Sequence, residues 1–230
     1  MLELGAASEH RTSLRAHSFS SIAFRQELLL RLLTHLEDCG ADLRSHSERV
    51  CTLAVSAACC MGVAGRDLLW LQIAALLHDV GKLHISSRIL TKPRRLSQRE
   101  LHLVRLHPAR GEQILREHGV PEVACRAVRS HHECYDGRGY PDGLAGEEIA
   151  LFARILRVAD AYDAMTADRP YRAALPAEAA ARRLRARSGT HFDPRVVEHF
   201  LQVRADGTAA AASRQDLLEW SRTCEPVADP

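Results

Sequence analysis

The chain has 230 residues, which is enough to bury a substantial core and is the size of one domain. Its 31 basic and 29 acidic residues leave a net charge of +2, and aromatic residues make up 5% of the chain, so binding to a nucleic acid polymer or to an anionic membrane is not indicated. Seven cysteines without a C-x-x-C pair argue against a disulfide scaffold and favour a reducing compartment. The N-terminus lacks the order of a secretory signal, and no apolar run is long enough to span a bilayer, so we predict a cytoplasmic protein.

The apolar pattern predicts an all-α fold without strands. Residues 1–20 are small and polar and are predicted to be disordered, and an amphipathic helix is predicted over 22–38. Glycines end this helix and the next one, which is predicted over 41–61. The helix predicted over 66–78 is apolar over most of its surface, which is typical of a helix buried at the centre of a bundle.

Capping residues and prolines mark the later helices. Ser97 and Glu100 have the spacing of a capping box, and a long helix is predicted over 149–167. Other helices are expected to begin near Pro108, Pro121, Pro176 and Pro194. We predict that the folded domain covers 21–204, and that 205–230 is a linker followed by a short helix over 216–222.

Histidines and aspartates near the ends of the predicted helices indicate a metal centre. The pair His131-His132 opens a glycine-rich segment, which is hard to explain by packing alone. The pair His78-Asp79 ends an apolar helix, and a charge in that position needs a partner. The other candidate ligands are His46, His107 and Asp160.

Most of these residues have a second explanation when they are taken one at a time. His107 is also explained as a helix cap, and His46 as a solvent-facing residue. Asp160 is also explained as a buried carboxylate paired with Arg157 on the neighbouring turn of its helix. Metal binding is the interpretation that explains the whole set.

The types of ligand narrow the choice of metal. Histidines and carboxylates without thiolates favour iron, manganese or zinc. Seven or eight ligands are too many for one ion but suit two, and the two oxygens of Asp79 are able to bridge them. Asp42, four residues before His46 and on the same helix face, is able to help hold a third ion. Cys134 lies inside the candidate site and is a candidate for oxidation or for a soft metal.

Four blocks of the sequence resemble a known family. The residues His78-Asp79-Val80-Gly81-Lys82 resemble the signature of the HD metal-dependent phosphohydrolase superfamily. The segment 131–146, with its Gly-Tyr-Pro triplet, is similar to the additional motif of the HD-GYP branch, and the blocks 153–171 and 192–194 are similar to later motifs of that branch. The resemblance runs in order over 45–200 and implies an HD-type helical bundle with a glycine-rich GYP loop between helices.

The resemblance implies a metal-dependent phosphodiesterase that hydrolyses cyclic di-GMP to linear pGpG, or on to GMP, by means of a hydroxide that two metals share. It implies two or three divalent ions, with iron or manganese as the commonest choices. Carried over by position, the metal ligands are His46, His78, Asp79, His107, His131, His132 and Asp160. Members with three metals have a glutamate where this chain has Asp42.

The resemblance also implies roles for residues around the ligands. Asp79 and Lys82 are the predicted catalytic residues, since Lys82 follows closely enough to stabilise charge on a phosphate. The predicted substrate contacts are Tyr140, Arg169 and Arg172, and the residues predicted to orient ligands or brace the loop are Asp136 and Asp163. For Tyr140, packing of the loop against the bundle is an equally good explanation.

Other functions stay open at this point. An HD hydrolase for another cyclic dinucleotide would keep the same fold and motifs. A receptor that binds a cyclic dinucleotide, or a protein-interaction scaffold, would keep the fold without turnover, but the intact ligand set and Lys82 speak against it. The apolar faces of the helices predicted over 22–38 and 216–222 either pack on the bundle or contact a protein partner or a second copy of the chain.

Overall fold

The computed structural model describes residues 41–168 and 173–205, and only the backbone of Ala41 and Asp42. Several predictions therefore lie outside the described residues. These are the disordered segment 1–20, the helix over 22–38, the helix over 216–222, the side chain of Asp42, and both Arg169 and Arg172. The predicted domain limits stay predictions for the same reason.

The described part of the chain is helical, as predicted from the sequence. Its helices are α1 (Ala41–Cys60), α2 (Gly65–Leu77), α3 (Ser87–Leu90), α4 (Gln98–Arg105), α5 (His107–Glu117), α6 (Glu122–Ser130), α7 (Leu151–Thr166), α8 (Ala177–Ala186) and α9 (Pro194–Ala205). Two 3₁₀ turns, Val80–His84 and Gly146–Glu148, lie between them. The described residues form no β-strand, and their only β-type pairing is two isolated bridges, between Asp136 and Ala145 and between Ser188 and Phe192. The predicted all-α fold class is confirmed.

Helix α2 occupies the middle of the bundle. It packs against α1, α6 and α7, and its second half from Ile73 to Leu77 is buried on every side. This is the environment that its apolar surface predicts, since a helix without a polar face is stable only where neighbours cover all of it. The core continues through Leu115, Ile155 and Phe200, so the centre of the bundle is held by burial of aliphatic and aromatic area.

An ion pair in the interior joins α7 to the start of α9. Arg154 of α7 donates to Asp193 at 2.5 Å and to the carbonyl of Ile149 at 2.9 Å, and both side chains are buried. Asp193 also accepts from the backbone N–H of Arg195 at 2.8 Å, at the start of α9. The Phe-Asp-Pro block therefore holds α9 against α7 and does not contribute a ligand.

The predicted helix limits agree with the structure to within about two residues, the usual uncertainty at helix ends. The capping box is present, because Ser97 accepts from the backbone N–H of Glu100 and Glu100 accepts from that of Ser97. Among the described residues no helix is both long enough and apolar enough to cross a membrane.

Candidate metal centre

Five imidazoles and two carboxylates from five different segments meet at one place in the bundle. His46 lies in α1, His78 and Asp79 follow the end of α2, His107 begins α5, His131 and His132 follow the end of α6, and Asp160 lies in α7. His78, Asp79, His107 and His131 are at most 2% exposed. Every described member of the predicted ligand set is therefore brought to the same site.

The ligand atoms fall into two groups. One ligand atom from each of His46, His78 and Asp79 lies within 4.8 Å of the others, and the same holds for His107, His131 and His132. Each group has the number of protein ligands that leaves open positions on an ion for water or substrate. The structure thus has two candidate ion positions built from different helices.

Asp79 lies between the two groups. Its Oδ1 is 3.3 Å from Nε2 of His107, which belongs to one group. Its Oδ2 is 3.5 Å from Nε2 of His78 and 3.9 Å from Nε2 of His46, which belong to the other. The two oxygens of one carboxylate therefore face different candidate positions, as a bridging ligand requires.

Backbone carbonyls orient three of the histidine rings. In each, the hydrogen on Nδ1 is donated to the carbonyl three residues earlier, so that Nε2 is left as the acceptor. The bonds are His78 to Ala75 at 2.7 Å, His107 to Val104 at 2.7 Å and His131 to Val128 at 2.6 Å. Nε2 of His78 is buried and has no hydrogen-bond partner among the described residues, which is costly unless an ion binds there. This donor set and this unpaired nitrogen fit divalent metal ions.

A carboxylate orients the fourth ring. Nδ1 of His46 lies 2.7 Å from Oδ2 of Asp163, and Arg49 donates to both oxygens of Asp163 at 2.5 and 3.0 Å. Nε2 of His46 is thereby directed towards Asp160, whose Oδ1 lies 3.3 Å away. Asp163 lies one turn from Asp160 on α7, so it fixes a ring on α1 from the helix that also carries a predicted ligand.

We expect Asp163→Asn to lower the affinity for manganese about 10- to 100-fold, the usual cost of losing a carboxylate that orients a ligand. An amide at this position no longer holds the hydrogen on Nδ1 of His46 with a negative charge. Titration of the metal-free protein with Mn²⁺ measures the effect. Asp67→Asn, an exposed substitution in the first turn of α2, is the matched control and should leave the affinity unchanged. Equal affinities in the two variants would contradict the role given to Asp163.

Burial keeps two of the histidines neutral. Burial, together with the charges of neighbouring histidines, lowers the pKa of His131 well below its usual value. For His132, burial and the nearby His107 and Arg157 lower the pKa to about 3. A neutral imidazole has a free lone pair, so both rings are in the protonation state that metal binding requires.

The carboxylates are held in their charged state. Burial by itself would raise the pKa of Asp79, but Lys82 and the surrounding histidines lower it well below its usual value. Burial would likewise raise the pKa of Asp160, but the bond to His46 and the charges of His78 and His132 lower it. The alternative pairing of Asp160 with Arg157 does not occur, because Asp160 pairs with His46 and Arg157 contacts His132.

Lys82 contacts a predicted ligand directly. Its Nζ donates to Oδ2 of Asp79 at 2.5 Å, and its side chain is 25% exposed. The lysine thus lies at the edge of the candidate centre, where it contacts both Asp79 and solvent. Its position is compatible with the predicted contact to a phosphate oxygen.

Gly81 allows Asp79 and His107 to come together. The 3₁₀ turn after Asp79 lies directly on the start of α5, and a Cβ on Gly81 would be 2.0 Å from the carbonyl oxygen of His107 and 2.7 Å from the backbone nitrogen of Gly111. No side chain fits in that space. The glycine of the His-Asp-x-Gly-Lys signature is therefore a packing requirement of the metal centre.

The GYP loop folds back onto the histidine pair. A Cβ on Gly139 would be 2.2 Å from the backbone nitrogen of Cys134, so the loop backbone touches the residues that follow the pair. Glu133 is buried, and its Oε1 accepts from the backbone N–H groups of Asp142 and Gly143 at 2.7 and 3.0 Å. The carboxylate next to His132 in sequence thus holds the far side of the loop.

Two predicted site residues have structural contacts in this loop. The ring of Tyr140 stacks on that of His132 with the two centroids 4.9 Å apart, and the guanidinium carbon of Arg105 lies 5.3 Å from the centroid of the Tyr140 ring. Asp136 accepts from the backbone and side chain of Arg138 at 3.1 and 3.0 Å. Tyr140 therefore packs the loop on a predicted ligand, and Asp136 braces the loop without reaching the histidines.

Three residues that contact or brace the site had no predicted role there. Glu133 lies inside a motif, but a carboxylate that binds two backbone N–H groups nine or ten residues away has no spacing signal. Arg49 lies one turn after His46, which hinted at a shared face. The sequence suggested Arg157 only as a partner for Asp160. Because Arg157 lies three residues before Asp160 on α7, it shares the helix face that points to the candidate centre.

The family is shown by comparison with known proteins. A family model described as HD domain matches residues 33–196. The chain therefore belongs to the HD domain family, and the predicted resemblance to the HD-GYP branch is confirmed. Among curated proteins the chain is 43% identical over 149 residues to 3′3′-cGAMP-specific phosphodiesterase 3 of Vibrio cholerae, which covers 65% of the chain and 32% of the relative.

Two other relatives carry a cyclic di-GMP name. The response regulator RpfG of Xanthomonas campestris, a cyclic di-GMP phosphodiesterase, is 38% identical over 78% of the chain and 48% of its own length. A cyclic di-GMP phosphodiesterase of Thermotoga maritima is 36% identical over 82% of the chain and 51% of its own length. The chain thus spans about half, or less, of the length of the curated relatives it matches.

Solved structures share the fold. A crystal structure of a cyclic GMP-AMP specific phosphodiesterase from V. cholerae has a TM-score of 0.61 at 20% identity. The aligned region covers 89% of this chain and 54% of the chain in that structure. The HD domain of the phosphodiesterase PgpH from L. monocytogenes, in complex with cyclic-di-AMP, has a TM-score of 0.52 at 16% identity and covers 83% of this chain and 92% of its own. At these identities the likeness shows the helical fold alone.

Proposed function

We propose that this domain is a metal-dependent phosphodiesterase that hydrolyses cyclic di-GMP to linear pGpG. The observation that carries the proposal is the pair of ligand groups joined by Asp79, because two ions held close together suit hydrolysis of a phosphodiester. The names of the relatives from Xanthomonas and Thermotoga support the substrate. The first alternative, another cyclic dinucleotide, is supported by the cGAMP-specific relative at 43% identity.

The proposed ligands are His46, His78, Asp79, His107, His131, His132 and Asp160. When bound, a pair of divalent ions lowers the pKa of water and offsets the negative charge of the phosphate. Iron and manganese are the proposed ions, since five imidazoles and two carboxylates suit borderline to hard metals. A third ion would depend on Asp42.

The chain's own residues prepare the site for that chemistry. The carbonyl bonds to three histidines and the Asp163 bond to His46 fix the rings before substrate arrives, so little reorganisation is needed during the reaction. Lys82 lies beside Asp79, where its charge stabilises negative charge that develops on a phosphate oxygen. The GYP loop covers His132 with Tyr140 and shields that side of the centre from water.

The remaining site predictions belong to the same proposal. Tyr140, Arg169 and Arg172 are the proposed substrate contacts. For Tyr140 the stack on His132 leaves the hydroxyl as the group available to a phosphate. A cytoplasmic location and a homodimer or protein partner stay predictions.

The test is turnover by protein purified without oxygen and loaded with iron or manganese, with products separated by chromatography. Cyclic di-GMP, 3′3′-cGAMP and cyclic di-AMP are offered separately at equal concentration. Preferred cleavage of cyclic di-GMP to pGpG, abolished by a chelator and restored by the metal, supports the proposal. Preferred cleavage of 3′3′-cGAMP would assign the alternative substrate. Tight binding of a cyclic dinucleotide without cleavage by fully loaded protein would instead identify a receptor.

A further inference from the structure

Arg157 lies at the metal centre without a carboxylate partner. Its Nη1 is 3.3 Å from Nδ1 of His132 and its Nη2 is 3.8 Å from Sγ of Cys134. Its guanidinium carbon lies 5.9 Å from the centroid of the Phe192 ring. No acidic residue in the described part of the chain forms an ion pair with Arg157, and its Nε is buried without a hydrogen-bond partner.

Three other arginines of the bundle, one buried, one part-buried and one exposed, each have a carboxylate partner. Arg154 pairs with Asp193, Arg49 pairs with Asp163, and Arg129 pairs with Asp142 and Glu112. In each case a carboxylate compensates the positive charge. A thiol and a neutral imidazole carry no negative charge, and the single lone pair of His132 is needed for a metal ion, so Arg157 keeps a charge that nothing in the described chain balances.

The position of Arg157 fixes where a compensating anion would lie. It is three residues before Asp160 on α7 and therefore shares the helix face that carries this predicted ligand. It also contacts His132, so its guanidinium lies beside a ligand of the group formed by His107, His131 and His132. An arginine cannot lose its proton in a protein, and its planar fork matches two oxygens of a phosphate.

We propose that Arg157 is a substrate-binding residue, whose guanidinium binds a non-bridging phosphate oxygen of the cyclic dinucleotide beside the metal centre. This inference rests on the proposed function for the identity of the anion. The phosphate accepts from the guanidinium and supplies the missing negative charge. Lys82 then contacts phosphate from the Asp79 side and Arg157 from the His132 side.

The experiment measures binding in the absence of metal, so that it does not depend on turnover. Isothermal titration of cyclic di-GMP, and separately of inorganic phosphate, into the metal-free full chain in chelator gives the dissociation constants at low and high salt. The variants are Arg157→Ala, Arg157→Lys and Arg157→Gln. Arg126→Ala is the matched control, because it removes the same charge from an exposed arginine that pairs with Glu122 on α6.

The proposal predicts that Arg157→Ala weakens binding of cyclic di-GMP about 10-fold, the size of one charge-assisted hydrogen bond. Arg157→Lys should recover part of the affinity, and Arg157→Gln should not, because it keeps the length but not the charge. The wild type should lose more affinity in high salt than Arg157→Ala does. In the metal-loaded enzyme the same substitution should raise KM while the bound metal stays constant.

Equal affinities of the wild type and Arg157→Ala would overturn the proposal, and so would an equal loss in Arg126→Ala. Loss of bound metal with an unchanged dissociation constant would also overturn it, since that result marks a bracing contact with His132. If Arg157→Ala does not fold, Arg157→Gln makes the same comparison. Absence of wild-type binding to cyclic di-GMP and to phosphate overturns it as well. Absence of turnover by loaded wild type, with Arg157-dependent binding intact, counts against the proposed function alone.

Discussion

Asp79→Asn should remove at least half of the bound metal and lower turnover of cyclic di-GMP about 10³-fold, the upper range for loss of one preorganised electrostatic contact. Asparagine keeps the shape of the side chain but offers only one oxygen and no charge. Because the two oxygens of Asp79 face different ligand groups, one candidate position loses the carboxylate oxygen that Asp79 presents to it. Metal analysis after gel filtration and the initial rate with saturating metal measure the two effects.

Asp67→Asn again serves as the control, since it removes an equal charge from an exposed position on α2. It should retain full metal and the wild-type rate. A fully loaded Asp79→Asn enzyme with a normal rate would show that the carboxylate does not join the two groups. Partial metal with a normal rate would show that one ion is sufficient for the reaction.

Gly81→Ala should have the largest effect on folding, with a loss of at least about 3 kcal/mol in the free energy of unfolding, at the upper end for overpacked sites. The added methyl group would lie 2.0 Å from the carbonyl oxygen of His107, and backbone atoms cannot move aside as a flexible side chain can. The 3₁₀ turn would have to move away from α5, which separates Asp79 from His107. Urea unfolding and metal content report the two consequences.

The comparison for this variant is Gly62→Ala, which places a methyl group in open space at the end of α1. Gly62 has φ of +80°, so alanine there costs about 1 kcal/mol of backbone strain and no more. It should leave metal binding intact. A Gly81→Ala protein as stable as Gly62→Ala, with both metals bound, would show that α5 and the turn do not depend on this close contact.

The helices could be predicted because their signals are local. Each signal lies within one or two turns of the element that it marks. These signals are the apolar surface of the helix 66–78, the capping box at Ser97 and the prolines at or next to the first residues of α5, α6, α8 and α9. The 3₁₀ turn over Val80–His84 and the short helix α3 were not predicted. Each is shorter than the period over which an apolar pattern can be recognised.

The residues of the candidate metal centre could be proposed from the sequence, but not the partners that orient them. His46 and Asp163 are 117 residues apart, and no spacing connects them. The same is true of Glu133 and the backbone that it binds, and of Arg157 and His132, which are 25 residues apart. Such pairs depend on which helices pack together, a property of the whole chain and not of a segment.

The composition of the ligand set has a consequence for the products. Five of the seven proposed ligands are neutral imidazoles and two are carboxylates. The protein's ligands would therefore neutralise only two of the four positive charges of two divalent ions. A hydroxide and a phosphodiester supply the other two. The linear product ends in a phosphate monoester with a charge of about −1.5 to −2 at neutral pH, which is more negative than the diester it replaces. If the proposed function holds, we expect the site to bind the linear product more tightly than the substrate, so that product release limits turnover.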